Sequence, residues 1–313
     1  MGAPTAACDP RRDTWGVGTI SIPPQLADAL TDDDDPARVK WLEALPKAVA
    51  QIASDWELEL GEPFLPGGVC AWVARARNAA GDELVLKVGW RHHEAEHEAD
   101  GLRHWDGDGA VRCFAARSHG DTSALLLERC MPGGQLGHVA PEHRQDEIIA
   151  GLLRRLWMRV PGNGHPFRPL SEMCDQWADG FEDRFATDGR GLDPGLARHG
   201  VELLRDLPRT SGGAALLCTD LHAGNVLAAK RESWLVIDPK PFVGDPAYDT
   251  VQHMLNCDDR LASDPAGLAG RMAALLDLDC DRVRLWLLAR CVQESLLDVT
   301  LREPARRLGQ VCG

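Results

Sequence analysis

Residues 216–241 constrain this chain more than any other stretch. Two apolar runs, Asn225-Val226-Leu227-Ala228 and Trp234-Leu235-Val236-Ile237, flank the polar turn Lys230-Arg231-Glu232-Ser233. That pattern predicts a β-hairpin, which brings Asn225 and Asp238 to neighbouring strand ends. An amide oxygen beside a carboxylate is a hard-oxygen pair suited to Mg²⁺ in sites completed by substrate phosphates. Asp220 lies five residues before Asn225 on the same loop, where it can orient a substrate hydroxyl, as phosphoryl transfer requires. Asp and Asn are also ordinary turn formers, so this spacing alone does not decide between chemistry and a plain turn.

At 313 residues the chain is long enough for a full core and two lobes. No apolar run approaches the ~20 residues of a membrane helix. The N-terminal residues lack a basic start followed by an apolar block, so the cytoplasm is the expected compartment and no membrane contact is expected. A net charge of −14 argues against a nucleic-acid partner, and fits either a cationic small molecule or plain solubility. Ten cysteines include no Cys-x-x-Cys pair and fall mostly in apolar stretches, which predicts buried reduced thiols rather than disulfides or structural zinc. No obligate protein partner is evident.

Residues 1–35, rich in Pro, Gly and Asp, read as a loosely held arm, 36–130 as a first lobe, and 131–313 as a helical second lobe. Pro36 opens a helix with Val39, Leu42, Leu45, Val49 and Ile52 on one face. Runs near 56–60, 70–77, 83–88, 111–116 and 124–130 then predict five strands. A turn with Gly67 and Gly68 followed by a strand centred on Lys87 is the order of a nucleotide-covering loop and its phosphate-binding lysine, although the turn does not match G-x-G-x-x-G. A buried ammonium needs a carboxylate or phosphate partner, whereas on an edge strand it would reach for water. The helix read over 93–103 offers Glu98, on one face with Leu102 and Trp105, as that partner, with Glu94 in reserve.

The same helix spells His93-Glu94-Ala95-Glu96-His97, the H-E-x-x-H of zinc proteases. Its flanks are polar and spacing marks no third ligand. After Glu128 and Cys130 comes Pro132-Gly133-Gly134, an expected hinge whose backbone near those two residues can hydrogen-bond an adenine edge. Beyond it Ile148, Ile149, Leu152, Leu153 and Leu156 recur at helical spacing, and more helices are expected over 172–185, 194–207, 266–276 and 281–300. Asp245-Pro246 reads as a helix cap.

With Lys87, Glu98, Asp220, Asn225, Asp238 and Gly244-Asp245-Pro246-Ala247-Tyr248-Asp249 in this order, residues 40–300 resemble the aminoglycoside phosphotransferases. Ile237-Asp238-Pro239-Lys240-Pro241 narrows the likeness to the aminoglycoside/hydroxyurea resistance kinase branch, which includes streptomycin 6-phosphotransferases. The resemblance implies an α+β, bilobal protein-kinase-like fold with a small antiparallel-sheet N-lobe and a mainly helical C-lobe. It implies transfer of a phosphoryl group from ATP, or GTP, with Mg²⁺, to a hydroxyl of a small molecule such as a streptomycin-like aminoglycoside or hydroxyurea.

Carried over by position, Lys87 holds the α- and β-phosphates, Glu98 positions it, Asp220 accepts or steers the hydroxyl proton, and Asn225 and Asp238 bind Mg²⁺. Relatives usually carry His where this chain has Cys218, which implies a less rigid loop rather than lost catalysis. His222 is either a phosphate contact or a loop hydrogen bond. Glu172, Asp175, Glu294 and Asp298 are acidic candidates for a cationic acceptor, or simply solvated faces. Lys240 puts a positive charge near the acceptor and favours a smaller, less cationic one such as hydroxyurea. The alternatives are a metabolic amino-sugar kinase, a nucleotide-binding pseudokinase suggested by Cys218, and the zinc hydrolase.

Overall fold

A computed structural model describes residues 20–31, 35–189 and 191–311. They divide into two compact units, the first within 1–93 and 112–129, the second within 94–111 and 130–313.

The first unit pairs two helices, α1 (Pro24–Thr31) and α2 (Pro36–Asp55), with five antiparallel strands. Asp35 caps α2 by accepting the Ala37 N–H at 2.9 Å, with Pro36 at the first helical position. The strands β1 (Glu59–Pro63), β2 (Ala71–Arg77), β3 (Glu83–Trp90), β4 (Cys113–His119) and β5 (Thr122–Glu128) lie in the order β1-β2-β3-β5-β4. Alternation in β3 sends Leu84, Leu86 and Val88 into one core with Leu45, Val49 and Ile52 of α2 and Leu26 of α1. Lys87 falls on the opposite face, between Val73 and Leu125 on the flanking strands.

Residues 20–31, expected as part of a loose arm, are instead built in. Leu26 is fully buried, and the Trp72 indole N–H donates to the Ser21 carbonyl at 2.9 Å. Ile20, Ile22 and Ala27 pack on the same core as Leu26, but the Pro and Asp residues around them dominate a composition argument. The rest of the arm, 1–19 and 32–34, lies outside the described residues.

The second unit starts earlier than expected, at residue 94 rather than 131. Helix α3 (Glu98–Trp105) and the loop after it are tied to segments much further along the chain. The Trp105 indole donates to the Leu156 carbonyl at 3.2 Å, Val111 N–H to the Val236 carbonyl at 3.0 Å, and Arg231 to the carbonyls of Gly107 and Ala110. Next come α4 (Leu136–Val139), α5 (Glu142–Trp157), α6 (Leu170–Asp188) and α7 (Pro194–Asp206). Four short strands come after them: β6 (Ala215–Leu217), β7 (Val226–Ala228), β8 (Trp234–Val236) and β9 (Phe242–Gly244). The hairpin forms as expected, with Val226 opposite Val236, while β6 pairs with β9.

The chain closes with α8 (Val251–Leu255), α9 (Asp258–Ser263), α10 (Pro265–Leu276), α11 (Cys280–Glu294) and α12 (Arg302–Val311). The helix expected to run to 300 stops at Glu294, because the Ser295 hydroxyl turns back to the Val292 carbonyl and Asp298 caps a new turn at Thr300. Among the described residues no helix is long and apolar enough to cross a membrane.

One contact sets how close α3 comes to the segment after Asp238. A Cβ on Gly101 would lie 2.3 Å from Cγ of Pro241. Alanine there gains ~1 kcal/mol of helix propensity, yet overpacking costs ~1–3 kcal/mol. Gly101→Ala is expected to lower stability in urea unfolding, and Pro241→Ala, which removes Cγ, to recover part of it. Simple additivity of the two changes would contradict this contact.

Candidate active site

The site is built on a strained loop. Thr219 sits at φ 54° and Asp238 at φ 54°, the left-handed region, which costs a β-branched residue such as threonine on the order of 1–3 kcal/mol. Asp249 holds the first of these in place. Its buried carboxylate accepts the backbone N–H of Cys218 at 3.0 Å and of Thr219 at 2.6 Å, and the Trp157 indole at 2.9 Å. Burial pushes its pKa up from 3.8 to about 6, and these three donors only partly offset that.

The Cys218 carbonyl in turn accepts the N–H groups of Asp220 (2.8 Å) and Lys240 (2.9 Å), and the Thr219 hydroxyl donates to the Lys240 carbonyl. The two loops that carry the acids are therefore joined through main chain. Cys218 is fully enclosed, and burial first, then the nearby Asp249 and Asp220, raises its thiol well above the ordinary value. It acts as a small apolar plug while its backbone supplies the loop's rigidity.

Asn225 donates its amide N–H to the Asp220 carbonyl at 2.9 Å, which leaves its side-chain oxygen for a cation. Its own carbonyl accepts the Ile237 N–H at 2.9 Å, so Asp238 comes next door on the hairpin. A neutral amide oxygen and a carboxylate at the neighbouring ends of the hairpin fit a Mg²⁺ ion that keeps positions for phosphate oxygens and water. Lys240 Nζ lies 3.1 Å from Asp220 Oδ2 and 3.6 Å from Glu94 Oε2. Burial works against its charge, but Asp220 and Glu94 outweigh it and raise the lysine pKa.

The other candidates fall elsewhere. His222 turns its Nδ1 inward to accept the Gly224 N–H at 3.2 Å, and burial lowers its pKa, which favours the neutral ring. Glu172 pairs with Arg168 (3.5 Å), Asp175 with Arg209 (2.6 Å) and Glu294 with Arg290 (2.8 Å), while exposed Asp298 caps Thr300. Lys87 is half-buried in β3 of the first unit, and Glu98 is buried at the start of α3 in the second. Gly67 has φ 97° and approaches Pro23 so closely that a Cβ would meet it at 2.7 Å; Gly68 is next in the same turn. Glu128 ends β5, its carboxylate accepting the Arg112 N–H at 3.1 Å, and Cys130 opens the second unit's main segment.

The helix expected over 93–103 is split. Residues His93–Ala95 form a 3-10 turn and the α-helix begins only at Glu98, so His93 and His97 do not share a helical face and the zinc-protease geometry is not formed. Glu94, held in reserve as a partner for Lys87, is instead beside Lys240.

Two features are not evident from the sequence. Asp249 stands in a recognisable motif that gives no hint of its role. Asp146 is fully buried and accepts from His253 (2.8 Å), Arg260 (2.8 Å) and Arg271 (2.6 Å). Burial raises its pKa, but these three partners outweigh that and hold it well below the usual carboxylate range. Its position three residues before Ile149 and seven before Leu153 was the available signal. Cys257 completes a cluster of ligand-type groups with Asp146 and His253, but two guanidiniums on one carboxylate make it an ion-pair lock.

The chain is similar to known proteins. A family model described as "Aminoglycoside/hydroxyurea antibiotic resistance kinase" matches residues 60–297. The chain is 33% identical over 289 residues to a hydroxyurea phosphotransferase of Kitasatospora aureofaciens, covering 90% of this chain and 81% of that one. It is 31% identical to a streptomycin 6-kinase of Streptomyces griseus, covering 90% and 91%. An aminoglycoside phosphotransferase from Streptomyces rimosus, solved with ADP and streptomycin, superposes with a TM-score of 0.53 at 18% identity, over 81% of this chain and 98% of that one. The fold is thus protein-kinase-like, with a small antiparallel sheet and a mainly helical unit.

The Asp249 carboxylate has a measurable signature. Its folded pKa lies above its unfolded one, so the native state holds a proton that the unfolded chain has already lost between pH ~4 and ~6, and stability falls as pH rises through that window. Ionising it on folding costs roughly 3 kcal/mol at neutral pH. Asp249→Asn is expected to flatten this part of the stability–pH curve in denaturant titrations, and to speed hydrogen exchange at the Cys218 and Thr219 amides. An unchanged slope would mean the carboxyl is not enclosed in solution.

Proposed function

This chain belongs to the aminoglycoside/hydroxyurea antibiotic resistance kinase family, and we propose on that premise that Asp220 steers a small antibiotic's hydroxyl onto the terminal phosphoryl group of ATP. The enzyme is a phosphotransferase with a hydroxyl acceptor, and it uses a nucleotide. The observation that carries the residue roles is the joining of Asp220, Asn225 and Asp238 through one hairpin and a shared set of backbone hydrogen bonds. Phosphoryl transfer depends mainly on positioning and electrostatics, and strained but firmly tied backbone suits that demand.

In this reading Asn225 and Asp238 hold Mg²⁺, which supplies positive charge to the phosphates when bound. By the family resemblance, Lys87 is the lysine for the α- and β-phosphates. Asp220 takes the acceptor's proton as its oxygen attacks. The acids considered for a cationic acceptor are already paired with arginines or used as a cap. That favours a small, weakly charged acceptor, so hydroxyurea is the better substrate and streptomycin the poorer.

Steady-state rates with ATP and a panel of hydroxyurea, streptomycin and amino sugars test this. The expected result is phosphorylation with kcat/KM highest for hydroxyurea. Asp220→Asn should lose ~10²–10⁴ in kcat and still bind nucleotide. Preference for an amino sugar would overturn the acceptor assignment, and an Asp220→Asn enzyme with parental kcat would overturn the role of Asp220.

A further inference from the structure

Beside Asp220 lies a pair that the proton-transfer role does not require. Lys240 is fastened at its N–H to the Cys218 carbonyl (2.9 Å), at its carbonyl to the Thr219 hydroxyl, and along the chain to Asp238 two residues earlier. Its ammonium lies beside the acid that faces the acceptor hydroxyl, on a backbone tied to the acid suited to the metal. An ammonium has three donors. One reaches Asp220 Oδ2 at 3.1 Å and a second points toward Glu94 Oε2 at 3.6 Å, with both carboxylates in the same unit.

Taken alone, this contact opposes catalysis, because it occupies an oxygen that must receive the acceptor's proton. The opposition disappears when a stronger anion enters next to it. The transferring phosphoryl group is such an anion, with its charge spread over three equatorial oxygens. Glu94 then matters as a second carboxylate that keeps the ammonium in range while Asp220 becomes protonated.

We propose that Lys240 is a catalytic residue that contacts an equatorial oxygen of the transferring phosphoryl group, and that Glu94 is the positioning residue that holds it there. This rests on the assignment of Asp220 above. In the step, a lone pair of the acceptor oxygen forms the bond to the γ-phosphorus while its proton passes to Asp220. The bond from that phosphorus to the β–γ bridging oxygen breaks, its electron pair leaves with ADP, and Lys240 keeps all its protons throughout. The charge it meets belongs to the phosphoryl group, so its contribution is independent of which molecule provides the attacking oxygen.

That independence gives the test. Lys240→Met, Lys240→Arg and Glu94→Gln are assayed beside Asp220→Asn with hydroxyurea, with streptomycin, and with water as acceptor in slow ATP hydrolysis. Lys240→Met should lower kcat by ~10²–10³, by a common factor for every acceptor including water. Acceptor KM should stay within about threefold of the parent. Lys240→Arg should restore about tenfold of the loss, and Glu94→Gln should lose about tenfold in kcat.

A raised acceptor KM with unchanged ATP hydrolysis would show that Lys240 touches only the acceptor. Parental kcat in Lys240→Met with Asp220→Asn inactive would show a merely structural ion pair. Either result overturns the proposal and leaves the Asp220 assignment standing, whereas an active Asp220→Asn would remove that assignment itself. Should Lys240→Met fail to fold, Lys240→Gln gives the same comparison.

Discussion

The interaction on which the rest of the active site depends is the one between the Asp249 carboxylate and the amides of Cys218 and Thr219. A buried carboxylate is costly, and so is a threonine at positive φ. Here the two costs meet at one place, and each is reduced by the other: the acid gains donors and the strained backbone gains an acceptor. Removal of either would leave the other unsatisfied. The loop geometry is consequently a property of the helical unit's interior, transmitted outward through Trp157 and the start of α8, rather than a property of the loop residues themselves.

A second tier of contacts extends this outward. Asp245, four residues before Asp249, accepts the Ala247 N–H at 3.0 Å and receives both Arg282 and the Trp286 indole from α11. Tyr248 packs its ring edge-on against Trp286 with centroids 5.0 Å apart. Helix α11 is buried along most of its length, and so serves as the post to which the acidic turn is bolted. The Asp146 cluster plays a comparable part on the other side, fixing α5 to α8, α9 and α10 through His253, Arg260 and Arg271. Charged groups in this unit are deployed mainly to hold helices in register. That explains why most of the acids suggested as acceptor contacts turn out to have arginine partners.

The parts of this architecture legible in the sequence were those set by local rules. Alternation marked the five strands, Asp35-Pro36 marked a helix start, and the apolar runs around 230–233 marked the hairpin that joins Asn225 to Asp238. The parts that were not legible depend on partners far along the chain. Nothing near residue 94 announces that the α-helix begins only at Glu98, or that Glu94 meets Lys240, a partner more than a hundred residues away. The burial of residues 20–31 is likewise decided by a pocket for Leu26 that the first strands and α2 create. Asp249 was visible as a residue, yet its task could be assigned only when the amides it serves were in view.

The sulfur atom in the middle of this arrangement has a consequence of its own. Cys218 stands two residues from Asp220, a place where an ionised thiol would invite peroxide or alkylating agents to silence the enzyme. Its side chain has no exposure, and burial first, then the surrounding acids, keeps its proton on. The chain can therefore carry cysteine in the middle of its working loop with the sulfur enclosed and its proton retained.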